Sequence, residues 1–521
     1  MILLLTLLTP SASAASYYFL DSGTRAIGRG GAFVCGADDI SAMYYNPAAL
    51  VNIDRPIFNL NGWGVGQYVR FDRLDEAGDD GEFGTDDDLS FEPVENVGSP
   101  QLEPQGGFAT HLGGIAPILK DTHLALGLYV PTSPNMAYDP DGAQRYSLID
   151  SLVWQVYAGP SVAQRITPWL SIGAGLEYTF LRVDQRLKVS APLSGDSEDP
   201  ADDVELNLET WDPAKFSWNA GLLVQPTKWL DVGASVQPAI HYVAPGTLDV
   251  GFNPDSFVGG QLANEDTSGE TGPTFTDDDV NLYVTTPWIV RVGVQVKPVP
   301  KLRVEADGTW THWSESEELR IELCTEDDCS DGGVTLAHDP DSVLLTEDIE
   351  LVDDISILTG FVDSYSARLG ADYDVTDWLR LAAGVHYETS SVPTARQGVA
   401  VVDGNKWGVA AGATVRVGHH LALDVSFAEQ FLANRAITDS ELRQIQLEVD
   451  LSDFSNTSVG EGTIVGNGQF TSRLTFVAIG ATVYLGQPKD GGTPAPKAPK
   501  SPKEPKAPEE PAAPAEPSAA G

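Results

Sequence analysis

Strict alternation of apolar and polar residues recurs along most of this 521-residue chain. In RVGVQVK, residues 291–297, valine fills every even position while arginine, glutamine and lysine take most of the odd ones. WLRLAAGVHYE, residues 378–388, and KLRVEADGTW, residues 301–310, repeat the pattern. A period of two predicts β-strands that have one apolar and one polar face.

The pattern predicts fourteen strands, at 57–70, 105–116, 122–130, 152–166, 169–185, 215–226, 229–241, 287–297, 301–315, 364–373, 378–390, 405–417, 420–431 and 470–485. Turns such as ITP and PTK alternate with long connections, at 71–104, 131–151, 186–214, 242–286, 316–363, 391–404 and 432–469. An even strand count with alternating loop lengths is typical of an up-and-down transmembrane β-barrel. A soluble sandwich shares the period of two but has no reason to alternate its loop lengths.

Tryptophan recurs where short turns lead into strands, in TPWL, TKWL and TDWL. The residues are Trp169, Trp229 and Trp378. Aromatic residues at that position form the girdles of membrane barrels, so we expect these three at one membrane–water interface. The alternative is that each ring merely packs against the end of its hairpin.

The chain carries a net charge of −44, which argues against nucleic acid as a partner. No stretch approaches 18 consecutive apolar residues, so we expect no membrane-spanning helix. Acid is concentrated in the long loops, and 71–104 alone holds twelve Asp and Glu. This sequence favours a solvated acidic loop, with Ca²⁺ binding as the alternative.

Both ends differ from the middle of the chain. Residues 1–15 combine a short apolar run with the small residues of a signal-peptidase site, which predicts a signal peptide. Residues 486–521 carry proline at every third position from 496 to 517, the period of a polyproline II rod. We expect this tail to hang in the periplasm as a spacer or as a ligand for a cell-wall component.

Three cysteines are too few for a disulfide framework. Cys324 and Cys329 are close enough in sequence to pair in an oxidising compartment, and the sequence leaves open whether they do. Cys35 is then left over, and we expect it to be a small buried residue.

Residues 16–56 precede the first strand and carry no strand pattern. A fourteen-stranded barrel has a bore wider than its own side chains fill, so a small N-terminal segment has room to fold inside it as a hatch. Glycines in GRGGAFVCGADDISAMYYNPAAL, residues 28–50, permit close approach, and its charged residues can pair with a charged inner face.

The hatch sequence resembles that of the FadL-type outer-membrane transporters of long-chain fatty acids and hydrocarbons. The matching residues are, in order, Gly28, Arg29, Asp38, Asp39, Asn46, Pro47 and Ala48. Residues 365–393 are similar to the family's late strands, and the resemblance covers roughly 16–485. The proline-rich tail and the long acidic loops depart from the family pattern.

The resemblance implies a fourteen-stranded antiparallel transmembrane β-barrel, residues 57–485, plugged by the hatch. It implies passive transport of a hydrophobic small molecule without a cofactor, with capture by the outer loops 186–214 and 242–286. It also implies exit to the side through a kink in the third strand, where Gly127 and Pro131 would break the ladder. We expect a monomer surrounded by the lipid of the bacterial outer membrane.

Arginines on the polar faces of the strands are candidates for ligand contact in the lumen. They are Arg291, Arg303, Arg368, Arg380 and Arg416. One of them could hold a fatty-acid carboxylate through a bidentate contact. The other interpretation is that most of them form paired networks with acidic residues and grip the hatch.

Other functions are less well supported by the sequence. It contains neither a G-x-S-x-G elbow nor histidines at metal-binding spacing, so we expect no enzyme. A surface adhesin would use the long loops. The serious alternative is a general diffusion porin whose acidic mouth favours cations, but a porin needs no N-terminal plug.

Overall fold

The computed structural model of the chain describes residues 21–76, 89–98, 100–114, 119, 121–132, 135–190, 198, 200–252, 279–316, 318–324, 335–336, 349–350, 355–448 and 458–486. The predicted signal peptide, the proline-rich tail beyond Gly486, and residues 77–88 of the acidic loop lie outside these ranges. Cys329, residues 191–197 and 199 of the first predicted capture loop, and residues 253–278 of the second also lie outside them. The disulfide and the capture role therefore stay predictions.

Fourteen antiparallel strands close into a barrel, which confirms the predicted fold class. Closure occurs between the first and last strands, which pair continuously from Ile57 with Tyr484 to Arg73 with Gly468. Among the described residues, no helix is both long and apolar enough to cross a bilayer.

The barrel strands are numbered in chain order, and four of them are interrupted once. They are β1 Ile57–Arg73, β2 Gln101–His111, β3 Thr122–Thr132, β4 Asp150–Thr167, β5 Leu170–Ser190, β6 Asp203–Thr227, β7 Leu230–Gln237 and Ile240–Phe252, β8 Asp279–Thr286 and Trp288–Val299, β9 Leu302–His312 and Glu318–Leu323, β10 Ile355–Leu358 and Ser364–Asp374, β11 Leu379–Glu388, β12 Lys406–Val417, β13 Leu421–Leu432 and β14 Gly468–Tyr484.

Smaller elements complete the described part of the chain. Short strands lie at Val94–Glu95, Asn135–Ala137, Thr335–Leu336, Ile349–Glu350, Arg435–Ile437, Arg443–Glu448 and Ser458–Ile464. The α-helical turns are α1 Thr24–Ile27 and α2 Ala42–Tyr45, and 3₁₀ turns lie at Pro47–Asn52, Leu112–Gly114, Pro200–Asp202, Trp313–Glu315 and Thr394–Arg396.

Apolar strand faces point outward to lipid and polar faces point into the lumen. In β8, Val292 and Val294 are 54% and 44% exposed, whereas Arg291 and Gln295 are buried. The same alternation holds in β11, where Leu381 and Val385 are exposed and His386 is buried. This inversion relative to a soluble protein is the burial pattern of a membrane barrel.

Exposed aromatic side chains mark the two membrane interfaces. Trp169, Trp229 and Trp378 all lie on the outside next to periplasmic turns. On β11, Tyr387 is exposed nine residues after Trp378. Nine residues span roughly 30 Å along a strand, or about 23 Å of membrane thickness at the usual tilt, which matches the apolar band of such barrels.

Strands β5 and β6 extend further outward than the sequence pattern predicts. The predicted strand 215–226 begins at Asp203, and the predicted loop 186–214 therefore contains strand. The pattern misses this extension because the inward face of the strand changes from polar to apolar along its length. The inward face of β5 carries polar Glu177 and Thr179 at membrane level and then apolar Leu181 and Val183 above it.

The second strand also differs from its prediction, since 105–116 is replaced by Gln101–His111 and a 3₁₀ turn. The turn covers Leu112–Gly114, where two glycines give the strand no side chains to pack.

The N-terminal segment, from Asp21 to Pro56, lies inside the barrel. Nearly all of its residues are buried, including Phe33, Tyr44 and Leu50. Its α1 turn contacts β12, β13 and β14, whereas its 3₁₀ turn contacts β4, β5 and β6 on another side of the bore. This segment, called the hatch below, therefore reaches across the lumen and closes it.

Candidate functional site

The centre of the hatch is fixed by one buried arginine. Arg29 donates from Nη2 to Glu305 Oε2 of β9 at 2.7 Å and from Nη1 to Asp372 Oδ2 of β10 at 3.3 Å. Its side chain is 1% exposed, and the two carboxylates are 0% and 2% exposed. Removal of any one of these three side chains would be strongly destabilising, because the remaining buried charges have no water to replace the lost partner.

Strand β9 also binds the backbone of the hatch. Glu305 Oε1 accepts hydrogen bonds from the amides of Cys35 and Gly36 at 2.5 and 3.2 Å. Asp307 Oδ2 accepts from the amides of Phe33 and Val34 at 2.7 and 3.0 Å. The loop 33–36 carries no regular structure, so these carboxylates replace the backbone partners that a helix or sheet would provide.

Asp38 joins the hatch to three arginines. Its carboxylate lies 2.5 Å from Arg25 of the hatch, 3.2 Å from Arg303 and 3.8 Å from Arg380. Burial alone would raise the pKa of Asp38, but the guanidiniums of Arg25, Arg303 and Arg380 hold it far below its usual value. Asp39 lies 3.5 Å from Arg25.

Two further candidate arginines are also paired with acidic residues. Arg368 Nη1 donates to Asp21 at the start of the hatch, and its Nη2 lies 3.4 Å from Glu388. Arg416 Nη2 donates to Asp374 at 2.9 Å near the periplasmic end. Of the five candidate arginines, Arg303, Arg368, Arg380 and Arg416 thus lie in ion pairs, and their pairs with Asp21 and Asp38 reach the hatch directly.

The Asn46-Pro47-Ala48 triplet holds the hatch against β6. Asn46 Nδ2 donates to the carbonyls of Val34 and Leu222 at 3.0 and 3.1 Å. Its Oδ1 accepts from the Ala48 amide at 3.0 Å, which caps the 3₁₀ turn, and Pro47 occupies the first position of that turn. Both ends of this one side-chain amide are therefore engaged.

Glycines on the inner wall make room for the hatch. A Cβ on Gly384 of β11 would lie 2.1 Å from the Arg29 carbonyl oxygen, and one on Gly173 of β5 would lie 2.3 Å from the Ala48 amide. Both contacts are with backbone, which cannot rotate away. Within the hatch, Gly30 and Gly31 have φ of +63° and +76°, a conformation that favours glycine. Gly28 has an ordinary helical conformation.

An apolar cavity lies above the hatch, between β4, β5, β8 and β9. Its walls include Val153, Leu181, Val183, Val284, Trp313 and Leu319, with Gln155 at one edge. These are the inward apolar residues that follow the polar membrane-level zone of the strands. The lumen therefore has a small apolar cavity, of about 30 Å³, on the outer side of the hatch.

A polar row lies between the cavity and the hatch. Its polar members are Gln237 of β7 and Thr311 of β9, which are in register on either side of the apolar Ile289 of β8, and all three are buried. Arg291 follows one inward position closer to the periplasm, with its guanidinium 4.3 Å from the ring of Tyr44. The two polar atoms of the Gln237 amide and the Thr311 hydroxyl have no protein hydrogen-bond partner.

The third strand leaves its ladder partway across the membrane. Its pairing with β2 runs from His111 with His123 to Gln105 with Tyr129 and stops there. Its pairing with β4 is irregular between Tyr129 and Thr132, the stretch that holds Pro131. Gly127 lies inside the paired part, opposite Gly107 and Gly159.

Lipid-facing leucines lie beside this break. Leu102 of β2 and Leu128 of β3 are 68% and 41% exposed on the outside. The interrupted stretch therefore adjoins the bilayer rather than the aqueous surface. We call it the β2–β3 seam: Gln101–Pro104 on one side and Val130–Thr132 on the other.

Several contact residues carried no sequence signal of their own. The alternation places Glu305 and Asp307 on the polar inner face beside the candidate arginines, whereas Glu177 and Asn219 are inward residues that nothing local marks as partners of the hatch. Their glycine neighbours were the usable signal, because inward glycines such as Gly173 and Gly384 recur where the hatch backbone approaches. Among the described residues, no three His, Cys, Asp or Glu side chains are arranged to hold a metal ion.

Comparison with known proteins gives the family. Residues 5–469 match the family of outer membrane transport proteins described as OMPP1/FadL/TodX. The chain belongs to this family. Its members are transport channels rather than enzymes, and their place is the bacterial outer membrane.

Relatives and solved structures are similar at low identity. A long-chain fatty acid transport protein of Escherichia coli O6:H1 is 21% identical over 212 residues, which cover 40% of this chain and 41% of that relative's length. A Pseudomonas aeruginosa FadL homologue superposes with a TM-score of 0.67 at 17% identity, over 90% of this chain and all of that one. The Ralstonia pickettii toluene transporter TbuX gives 0.55 at 14% identity, over 89% and 98% of the two chains. At such identities the solved structures show the shared fold alone.

Proposed function

We propose that this protein carries long-chain fatty acids passively into the cell and releases them sideways through the β2–β3 seam. The observation that carries the proposal is the end of the β2–β3 ladder at Tyr129, next to the lipid-facing Leu102 and Leu128. An interruption at that height gives an apolar solute a path from the lumen into the bilayer without crossing the filled hatch.

The apolar cavity supports a hydrophobic substrate. The cavity measures about 30 Å³, so an alkyl chain enters only if its walls move apart. Those walls, which include Val153, Leu181 and Trp313, are apolar and favour a hydrophobic substrate over ions and sugars. Capture by the outer loops 186–214 and 242–286 would precede this step.

The polar row below the cavity favours a fatty acid over a plain hydrocarbon. Gln237 and Thr311 are buried with polar atoms that no protein group satisfies, which is costly unless a ligand fills the role. Strand spacing and rise place Arg291 on the order of 8 Å from both, within reach of one bound carboxylate. With the head group at Arg291, the chain would extend outward into the cavity.

Uptake by whole cells tests the substrate class. The protein is expressed in a Gram-negative host deprived of its own fatty-acid channel, and uptake of labelled oleate and labelled toluene is measured for the parent and for Arg291→Gln. Loss of a charge-assisted contact of roughly 1.5–3 kcal/mol lowers oleate uptake about tenfold or more, while toluene uptake stays within about twofold of the parent value.

Arg416→Gln is the matched control, since this arginine lies near the periplasmic end and pairs with Asp374 instead. Equal loss of both substrates in the Arg291 variant would contradict a head-group role. Uptake of toluene without oleate would make the protein a hydrocarbon channel.

The alternative of a cation-favouring porin makes a different prediction. A porin admits sugars, so proteoliposomes containing the parent would swell rapidly in isosmotic sucrose. We expect no swelling above that of empty liposomes, because the hatch fills the bore with buried residues such as Arg29 and Phe33.

A further inference from the structure

Tyr129 holds a distinctive position, since it is the last residue of β3 that pairs with β2. It is also the last regular partner of β4 before the irregular stretch. Its side chain points inward and is 2% exposed. Any widening of the seam toward the periplasm must therefore begin by releasing this residue.

The Tyr129 ring is held between two other tyrosines. It stacks on Tyr157 of β4, with centroids 5.0 Å apart and an interplanar angle of 6°. Tyr44 of the hatch helix α2 meets it edge-on, with centroids 5.3 Å apart. Of these two tyrosines, Tyr157 thus belongs to the barrel and Tyr44 to the hatch.

The Tyr129 hydroxyl is tied to the same helix through two polar side chains. It donates to Glu177 Oε1 of β5 at 2.5 Å. Asn219 Nδ2 of β6 donates to that same oxygen at 2.8 Å and to the Met43 carbonyl of α2 at 2.7 Å. The other carboxylate oxygen of Glu177 is buried without a hydrogen-bond partner.

We infer that Tyr44, Tyr129, Glu177 and Asn219 form a latch that couples the position of the hatch helix α2 to the closure of the β2–β3 seam. Tyr129 is its moving part and a positioning residue for release. The inference rests on the proposed lateral release and adds the regulation of that step.

The mechanism follows from the neighbours of Tyr44. When a ligand at Arg291 displaces Tyr44, the Tyr129 ring loses its support on the hatch side, because Arg291 and Tyr129 both pack against Tyr44. Movement of α2 also withdraws the Met43 carbonyl from Asn219, which weakens the hold on Glu177. Once the Tyr44 ring and the Met43 carbonyl have both moved away, the residue pairs at the Tyr129 end of the β2–β3 ladder are free to separate.

Tyr129→Phe tests the latch, because it removes the hydroxyl that donates to Glu177 and keeps the stacked rings. Nitroxide labels on cysteines introduced at Leu102 and Leu128 report the width of the seam from the lipid side, in purified full-length protein without substrate. Loss of a hydrogen bond to a carboxylate is expected to raise the population at longer label separation at least about fivefold. Oleate uptake in cells is expected to rise with it.

Two further variants keep the test independent of folding. Glu177→Gln preserves the shape of the site and weakens the same bond, so it should shift the label distances in the same direction. Tyr138→Phe is the matched control, since its buried hydroxyl donates to the Val399 carbonyl in an outer loop. It should leave the distances unchanged.

Label distances in Tyr129→Phe and Glu177→Gln that coincide with those of the parent would overturn the latch. The distances are measured without substrate, so they decide on the latch even if oleate is not carried. A parent that carries no oleate while the variants widen the seam would overturn the proposed transport and leave the latch in place.

Discussion

Arg29 of the hatch and Glu305 of β9 form an ion pair of 2.7 Å in which the arginine side chain is 1% exposed and the glutamate side chain is fully buried. Glu305 also accepts hydrogen bonds from the backbone of the loop that follows, at Cys35 and Gly36. One barrel carboxylate therefore fixes both a side chain and a backbone turn of the plug. The hatch is part of the folded core of the barrel rather than a loose tether.

Glu305→Ala is expected to loosen the hatch and leave the barrel closed. Removing one partner of a buried ion pair costs about 3–5 kcal/mol, and the strands retain their own hydrogen bonds. Planar bilayer recordings should show conductance steps that the parent lacks. Glu429→Ala is the control, because Glu429 bonds Thr475 at a distance from the hatch. A silent Glu305→Ala channel with a correctly folded barrel would argue against this role.

Asn46→Ala should admit small solutes for a related reason. It removes three hydrogen bonds and leaves the buried Val34 carbonyl without this partner, at about 1–3 kcal/mol. Sucrose-driven swelling of proteoliposomes measures the leak. Asn96→Ala also removes three bonds, but those lie at the outer end, to Gln67, Gly98 and Ala137. Equal swelling in both variants would show that the hatch contact is irrelevant.

A single methyl group at Gly384 should displace the hatch. The new Cβ would lie 2.1 Å from the Arg29 carbonyl oxygen, and the backbone on both sides leaves it no way to relax. We expect increased protease cleavage within the hatch of Gly384→Ala. In Gly308→Ala the nearest atom to the new Cβ is at 3.6 Å, so the cleavage rate should match that of the parent. If both variants resist cleavage alike, close packing at Gly384 is unimportant.

The stability of the outer rim is expected to depend on pH through Asp363. Burial on its own raises the pKa of this loop carboxyl, but hydrogen bonds from Ser314, Trp310 and His312 outweigh burial and lower the pKa to about 2. The unfolded value is about 3.9, so the carboxylate stabilises the rim at pH above about 4. That contribution falls as the pH drops through about 2.

Fluorescence of Trp310 follows this change, since its indole Nε1 donates to Asp363. The emission of the parent should shift with a midpoint near pH 2 as that bond is lost, whereas Asp363→Asn should show a much smaller shift over the same pH range. Matching pH profiles for the two proteins would contradict the assignment to Asp363.

The sequence predicted the barrel well because each strand carries its own evidence. The alternation in β8 or β11 and the tryptophan at each of three periplasmic turns are local signals. The predicted bounds were wrong for β6, where acidic Glu205 and Glu209 resemble a loop although Leu206 and Leu208 between them are buried. Above the membrane the outward face of β6 is exposed to water. The alternation is therefore reversed there, with apolar residues pointing inward and polar residues pointing outward.

The sequence predicted that inward charged residues grip the hatch, but it could not predict which residues pair, because the partners come from strands far apart in sequence. Arg29 and Glu305 are separated by 276 residues, and nothing in either local sequence specifies their pairing. Tyr129 is likewise one inward residue among many. Only the register of β2, β3 and β4 shows that the ladder ends there.

Locking the end of the β2–β3 ladder is the most direct test of sideways release, because it prevents the seam from widening past Tyr129. Gly106 and Leu128 are paired in register across β2 and β3, next to the end of the ladder at Tyr129. A disulfide between cysteines at these two positions holds the strands together. Oleate uptake is measured with the cross-link formed and after its reduction, with the parent protein treated identically to account for its own cysteines. We predict that uptake through the cross-linked barrel falls to the level of cells without the protein and recovers on reduction. Undiminished oleate uptake by a fully cross-linked barrel would contradict the account.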